Sequence, residues 1–183
     1  VTITFQKANT AHLDTIWRWL QEPHVMEFWD NTQGHKDDIV NFVNGRKTPS
    51  SYCDGLYSYW IGYMDGTPYC MVMTIQEKPE YDMHPMQKDH LSKMGNTYSL
   101  DFMIGEKDFL GKGLGSKTLS AFVGFIKSID PKADTFLIDP EDSNARARHV
   151  YAKAGFDHVG DFLRESDCSS KGKTINLFVK KIF

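Results

Sequence analysis

The sequence predicts a mixed α/β protein of the α+β kind, and three observations carry that reading. Two β-rich runs, 57–64 and 68–75, meet at Asp65-Gly66, a dipeptide that favours the tight turn of an antiparallel hairpin. From Tyr98 onward, strand-like and helix-like segments alternate, which calls for a parallel crossover. Within that half lies Leu110-Gly-Lys-Gly-Leu-Gly115, a glycine-rich turn that opens an amphipathic helix.

In chain order, residues 2–7 alternate like a short strand. Asn9 or Thr10 can cap a helix through Leu13, Ile16, Trp17 and Leu20, which recur at helical spacing, and Pro23 ends it. Residues 37–44 read as a second short helix closed by Gly45. After the hairpin, residues 78–97 break every pattern, with Pro79, Pro85 and Gly95 among mixed polar residues. A loop that long inside a domain is usually functional or mobile. Residues 98–104 form a strand, and 115–129 a helix with Leu119, Phe122, Val123 and Ile126 on one side. A short buried strand at 135–138 and a helix at 143–154 follow. Strands at 156–162 and 174–180 close the chain around a polar turn at 166–173.

A chain of 183 residues, 40% hydrophobic and 25% charged, is expected to form one soluble globular domain over residues 1–183. No apolar run approaches the length that spans a bilayer. With a net charge of -3 and only scattered Lys and Arg, neither nucleic acid nor membrane is expected as a partner. Cys53, Cys70 and Cys168 are odd in number and far apart, with no C-x-x-C pair. That argues against a disulfide framework or a metal site, and for a reducing, cytoplasmic compartment.

Gly111, Gly113 and Gly115 let the backbone approach a ligand closely, and the N–H groups at a helix start favour an anion. On spacing alone, a flexible strand-to-helix turn is an equal reading, because neither the dinucleotide nor the P-loop pattern is present. Asn144 and Tyr151, seven residues apart, are expected on one helix face two turns apart. Taken by itself, Tyr151 could be a core residue.

Read together, the motifs say more. Asn144-x-x-Ala147-x-x-x-Tyr151-x-Lys153-x-Gly155-Phe156, downstream of the glycine turn, resembles the acetyl-coenzyme A signature of the GNAT acetyltransferases. Leu110 departs from it, standing where many members carry Gln or Arg. The resemblance implies a single GNAT-like domain whose central, mostly antiparallel sheet is flanked by helices. It would splay between the strands at 98–104 and 135–138. Acetyl-CoA would be the cosubstrate, its pyrophosphate cradled by Leu110, Gly111, Lys112, Gly113, Leu114, Gly115 and Ser116. The pantetheine arm would run beside Phe102, Met103 and Ile104, with Asn144 holding its far part. Tyr151 would sit at the thioester sulfur as proton donor. A phenol near pKa ~10 and a thiol near ~8.5 differ by roughly 2 kcal/mol, so a strong hydrogen bond to the developing thiolate suffices.

Trp17-Arg-Trp-Leu-Gln-Glu-Pro-His-Val-Met-Glu-Phe-Trp29, the hairpin at Met64-Asp-Gly-Thr-Pro68, Leu100-Asp101 and Ile138-Asp-Pro-Glu-Asp-Ser-Asn144 are similar to the aminoglycoside 6′-N-acetyltransferases of antibiotic resistance. That likeness implies a primary amine of a polycationic aminosugar as the acceptor. A polycation wants carboxylates and flat aromatic faces. Glu77, Glu80, Asp82 and Asp89 lie in or beside the long loop, Asp139 ends a strand, and Trp29 offers a stacking face. Each loop acid alone reads as a solvated charge, and Trp29 could equally be core. Asp101, between apolar neighbours, reads as a buried carboxylate with a task. That task would be to orient the amine and take its proton late or through water. With no nucleophilic Ser or Cys in a motif, attack would be direct. Two alternatives remain at this level. One is a siderophore-biosynthesis acyltransferase acting on hydroxylysine, whose members tend to carry His where Asp101 stands. The other is a non-catalytic acyl-CoA-binding module.

Overall fold

The computed structural model describes residues 1–166 and 169–182. It has mixed α/β architecture and gathers into two compact units, Val1–Thr74 with Phe102–Leu114, and Ile75–Asp101 with Gly115–Phe183. Cys168 falls outside the described residues.

In the first unit, β1 (Ile3–Lys7), β2 (Ser58–Met64) and β3 (Thr67–Glu77) form an antiparallel meander, the last three residues of β3 belonging to the second unit. The expected hairpin turn is present, with φ 48° at Asp65 and 85° at Gly66, the twist that suits two-residue loops. Helix α1 (Leu13–Leu20) follows a 3-10 turn at Thr10–His12, which Asn9 caps by accepting from the Ala11 N–H at 2.9 Å. It buries Ile16, Trp19 and Leu20 against Tyr59, Ile61 and Met71, while Trp17 is only half-buried. Pro23 both ends α1 and begins α2 (Pro23–Met26), where its missing N–H costs nothing. Helix α3 (Gln33–Val43) starts four residues earlier than the sequence suggested, because Thr32 caps it by accepting from His35 N–H at 3.4 Å.

Helices α1 and α2 also grip the segment that leads into the glycine turn. Gly105 lies against the Trp19 indole, where any Cβ would collide with the ring. The indole Nε1 donates to Glu106 at 2.9 Å, Arg18 forks onto the same carboxylate, and Lys107 pairs with Glu22 at 2.7 Å.

In the second unit, β4 (Asn96–Ile104, its last three residues belonging to the first unit), β5 (Ala133–Ile138), β6 (Asp157–Leu163) and β7 (Thr174–Lys181) take the order β4-β5-β7-β6. The expected crossover is there: β4 and β5 are parallel and are joined through α5 (Leu114–Ile129), which buries Leu119, Phe122, Val123 and Ile126. Parallel register runs from Asn96↔Ala133 to Ser99↔Leu137, one residue short of the end of β5, and β4 continues five residues beyond it. The segment expected to lack structure contains a short helix, α4 (Pro85–Asp89), with Pro85 in its first turn and the His84 ring accepting from the Met86 N–H at 3.2 Å. One turn of helix is too short for apolar periodicity to reveal. Helix α6 (Ala145–Lys153) precedes β6. No helix among the described residues is long and apolar enough to cross a membrane.

Candidate active site

The glycine turn is built for close backbone approach. Gly111 and Gly113 have φ of 72° and 67°, values that L side chains rarely adopt, and a Cβ at either would meet nothing within 4 Å. Backbone conformation, not crowding by the protein, is therefore what calls for glycine there. Both shoulders of the turn are anchored within the first unit. The Phe109 ring lies 5.1 Å from Tyr69, and Leu114 packs with Met64, Tyr69 and Cys70. Helix α5 begins at Leu114, so its first N–H groups follow the turn directly. Leu114, Gly115 and Ser116 are buried and Lys112 is exposed.

Asn144 stands just ahead of the helix that carries Tyr151, not within it as expected. Asn144 is the N-cap of α6, with φ -87° and ψ 70°, and its Oδ1 accepts from Ala147 N–H at 3.0 Å. Its side-chain oxygen, which the family resemblance assigned to the pantetheine arm, is used here to start the helix.

Tyr151 lies within α6 and is 5% exposed, edge-on to Phe178 at 6.0 Å. Burial pushes its phenol well above the ordinary value, and the charges of Asp101 and Asp139 push the same way. Such a phenol stays protonated at neutral pH.

The second unit brings three of the predicted acids together. Asp101 sits on the exposed side of β4 beside buried Leu100, which corrects the expectation that its apolar neighbours would bury it. Strand alternation explains the correction, since flanking residues point to the opposite face. Asp139 accepts on one oxygen, Oδ2, from Arg164 Nη2 at 2.5 Å and Gln87 Nε2 at 3.1 Å. Burial raises the Glu77 carboxyl, a hydrogen bond with Ser99 opposes that shift, and the Asp139 charge adds to it. Glu80, Asp82 and Asp89 are exposed, and no contact among the described residues draws them into the cluster.

Trp29 belongs to the core of the first unit. It is 8% exposed with its ring 5.9 Å from His35, so it offers no open stacking face. Sequence reasoning missed Gln87 and Arg164, both of which reach Asp139. Neither belongs to a motif, and nothing in their spacing marks them. Among the described residues, no group of three or more His, Cys, Asp or Glu could hold a metal ion.

Comparison with known proteins identifies the family and the fold. An acetyltransferase (GNAT) domain model matches residues 8–163. The chain is 24% identical over 159 residues to the aminoglycoside N(6′)-acetyltransferase type 1 of Klebsiella pneumoniae, spanning 87% of this chain and 76% of that one. Its fold is similar to that of an aminoglycoside N(6′)-acetyltransferase from Legionella pneumophila, with TM-score 0.76 and 24% identity over 98% of this chain and 91% of that chain. It is also similar to an aminoglycoside acetyltransferase in complex with coenzyme A and kanamycin, with TM-score 0.69 and 21% identity over 98% and 95% of the two chains. The glycine turn, the parallel crossover and the buried tyrosine are thus features of a chain that belongs to the GNAT acetyltransferase family.

Proposed function

We propose that this acetyltransferase moves the acetyl group of acetyl-CoA to the 6′-amine of an aminoglycoside by direct attack. The observation that carries this reading is buried Tyr151 lying within the field of two acids, exposed Asp101 and Asp139, with Asp139 also acting on Glu77. The kanamycin and coenzyme A complex of a similar fold supports the choice of acceptor.

In this reading the backbone at residues 110–116 receives the pyrophosphate. The pantetheine arm lies along residues 100–104, where β4 has left the register of β5. An alkylammonium of pKa ~10.4 costs roughly 4.6 kcal/mol to deprotonate at pH 7, so the acceptor arrives charged. Asp101, exposed on β4, orients it and receives its proton late or through water. The amine nitrogen then bonds to the acetyl carbon as the carbon–sulfur bond breaks. Tyr151 donates a hydrogen bond to the departing thiolate; of the two protons the ammonium gives up in becoming an amide, one goes to Asp101 and the other to the thiolate.

Thiol release from acetyl-CoA tests the reading with kanamycin, a kanamycin analogue lacking the 6′-amine, and hydroxylysine as acceptors. Kanamycin is expected to turn over fastest. Faster release with hydroxylysine, or equal release without the 6′-amine, overturns the proposal.

A further inference from the structure

One cation stands inside this acidic cluster. Arg164 reaches Asp139 Oδ2 at 2.5 Å, and its guanidinium lies over the Phe162 ring at 5.3 Å. Phe162 is stacked on its other partner, His84, at 4.2 Å and 13°. His84 begins α4, and Gln87 of that helix donates to the same Asp139 oxygen. The arginine backbone is fixed too, since Arg164 N–H donates to the Lys173 carbonyl at 3.0 Å and its own carbonyl accepts from Gly172 at 2.8 Å. Ion pair, cation–π contact and backbone hydrogen bonds therefore all hold this one guanidinium, which is 21% exposed, against this one carboxylate.

Both bonds fall on Oδ2, and the guanidinium offsets the carboxylate's charge, which weakens its pull on a second cation. A polyamine acceptor presents its reacting amine to one acid and its remaining ammonium groups to whichever other acids are open. We propose that Arg164 is a specificity-determining residue of the acceptor site, a resident counter-ion on Asp139 that limits how strongly the site rewards additional positive charge on the acceptor. The inference rests on the amine-acceptor reading above. Asp101 remains for the reacting amine, while Asp139 is already answered from within the chain. Removing the arginine cation opens Asp139 to the acceptor and shifts preference toward multiply charged amines. Arg164 touches no reacting atom in this scheme, so the shift falls on KM, not on kcat.

The test compares kanamycin with a monoamine sugar, 6-amino-6-deoxyglucose, in the unaltered protein, Arg164→Gln and Arg164→Lys. Arg164→Gln is expected to lower KM for kanamycin about fivefold relative to KM for the monoamine, the scale of one partly exposed ion pair. The dependence of kanamycin KM on salt should steepen as well. Arg164→Lys keeps the cation and should restore most of the original ratio, which a loss of packing alone would not do. If Arg164→Gln fails to fold, Phe162→Leu removes the seat of the guanidinium and should shift the ratio the same way by a smaller factor. Kanamycin acetylation with an unchanged KM ratio overturns the role of Arg164 and leaves the acceptor reading standing. Absence of acetylation of either amine by the unaltered protein overturns both.

Discussion

Each of the two units contains a carboxylate, an arginine and a tyrosine, and they use the set in opposite ways. In the first unit Asp38 is 1% exposed; Arg46 donates to it at 2.6 Å and the Tyr59 hydroxyl at 2.7 Å. Arg46 also donates to the Tyr57 carbonyl. Burial alone would raise the Asp38 carboxyl, but hydrogen bonds from Arg46, Ser50 and Tyr59 outweigh it and hold the group below its ordinary value. In the second unit Tyr151 is buried, whereas Asp101 is exposed on its strand. Identity of residue type therefore does not separate a brace from a site; whether the carboxylate is reachable does. A closed set fixes α3 against β2, and an open one can receive an amine.

The comparison breaks first, and most visibly, at Asp38. Asp38→Ala leaves the Tyr59 hydroxyl and the half-buried Arg46 without their acid; loss of one member of a fully buried pair costs about 3–5 kcal/mol, and solvent at Arg46 places this loss at or below the lower end. Urea denaturation should show that loss while the turnover of the remaining folded protein changes little. Because the folded-state pKa lies below the ordinary 3.8, the stabilisation by Asp38 is complete above that value and disappears as pH falls through the lower one. A large loss of turnover per folded molecule would instead make the first set part of the site.

Asp101→Asn should do the reverse. Removing the charge while keeping the shape is expected to lower turnover on an amine acceptor roughly 100-fold, the lower end for losing an acid–base group. Acetyl-CoA affinity and stability should stay close to those of the unaltered protein, as titration calorimetry and thermal melts would show. Gly113→Val comes next. A β-branched residue at φ 67° is strained and hinders the close approach, so acetyl-CoA affinity should fall about tenfold in a folded protein. Tyr151→Phe should cost less than Asp101→Asn, about tenfold in turnover, because the lost group contributes a hydrogen bond and not a charge. Steady-state kinetics that reverse the order of these two variants would move the principal chemistry from Asp101 to the phenol.

Those expectations rest on residues that were unequally legible in the sequence. The hairpin at Asp65-Gly66, the crossover and the glycine turn each carry a local signal, and the structure has them within a few residues of where they were read. Boundaries failed where caps decide them, as at Thr32, and a helix was missed where one turn begins at a proline, as at Pro85. Asp101 was identified as significant for a reason that did not hold: it is exposed, and its apolar neighbours describe the other face of β4. Asn144 was placed on a helix that it instead caps. The partners of Asp139 were beyond reach, because Gln87 and Arg164 come from segments 52 and 25 residues away and meet it only through the fold.

The smallest effect belongs to a histidine in the closed region. His35 is fully buried, stacked on Tyr52 at 4.6 Å and 9°, with Nδ1 2.7 Å from the Asp30 carbonyl and Nε2 buried without a hydrogen-bond partner. Burial holds its pKa below 6.5, against the opposing pull of the Asp30 carbonyl and of the Asp30 and Asp38 charges. The folded protein keeps this imidazole neutral, while the unfolded chain binds a proton below about pH 6.5, so falling pH favours unfolding. Stability should therefore be level above 6.5 and begin to decline below it, well before Asp38 itself titrates. His35→Gln should be less stable at neutral pH, since the stack on Tyr52 is lost, but its stability should be flatter between pH 7 and 5. Melting temperatures across that range decide the matter. An unchanged slope in the variant would assign the early acid sensitivity to His12, whose pKa burial also lowers and which lies 2.6 Å from the Tyr63 hydroxyl, away from the Asp38 set.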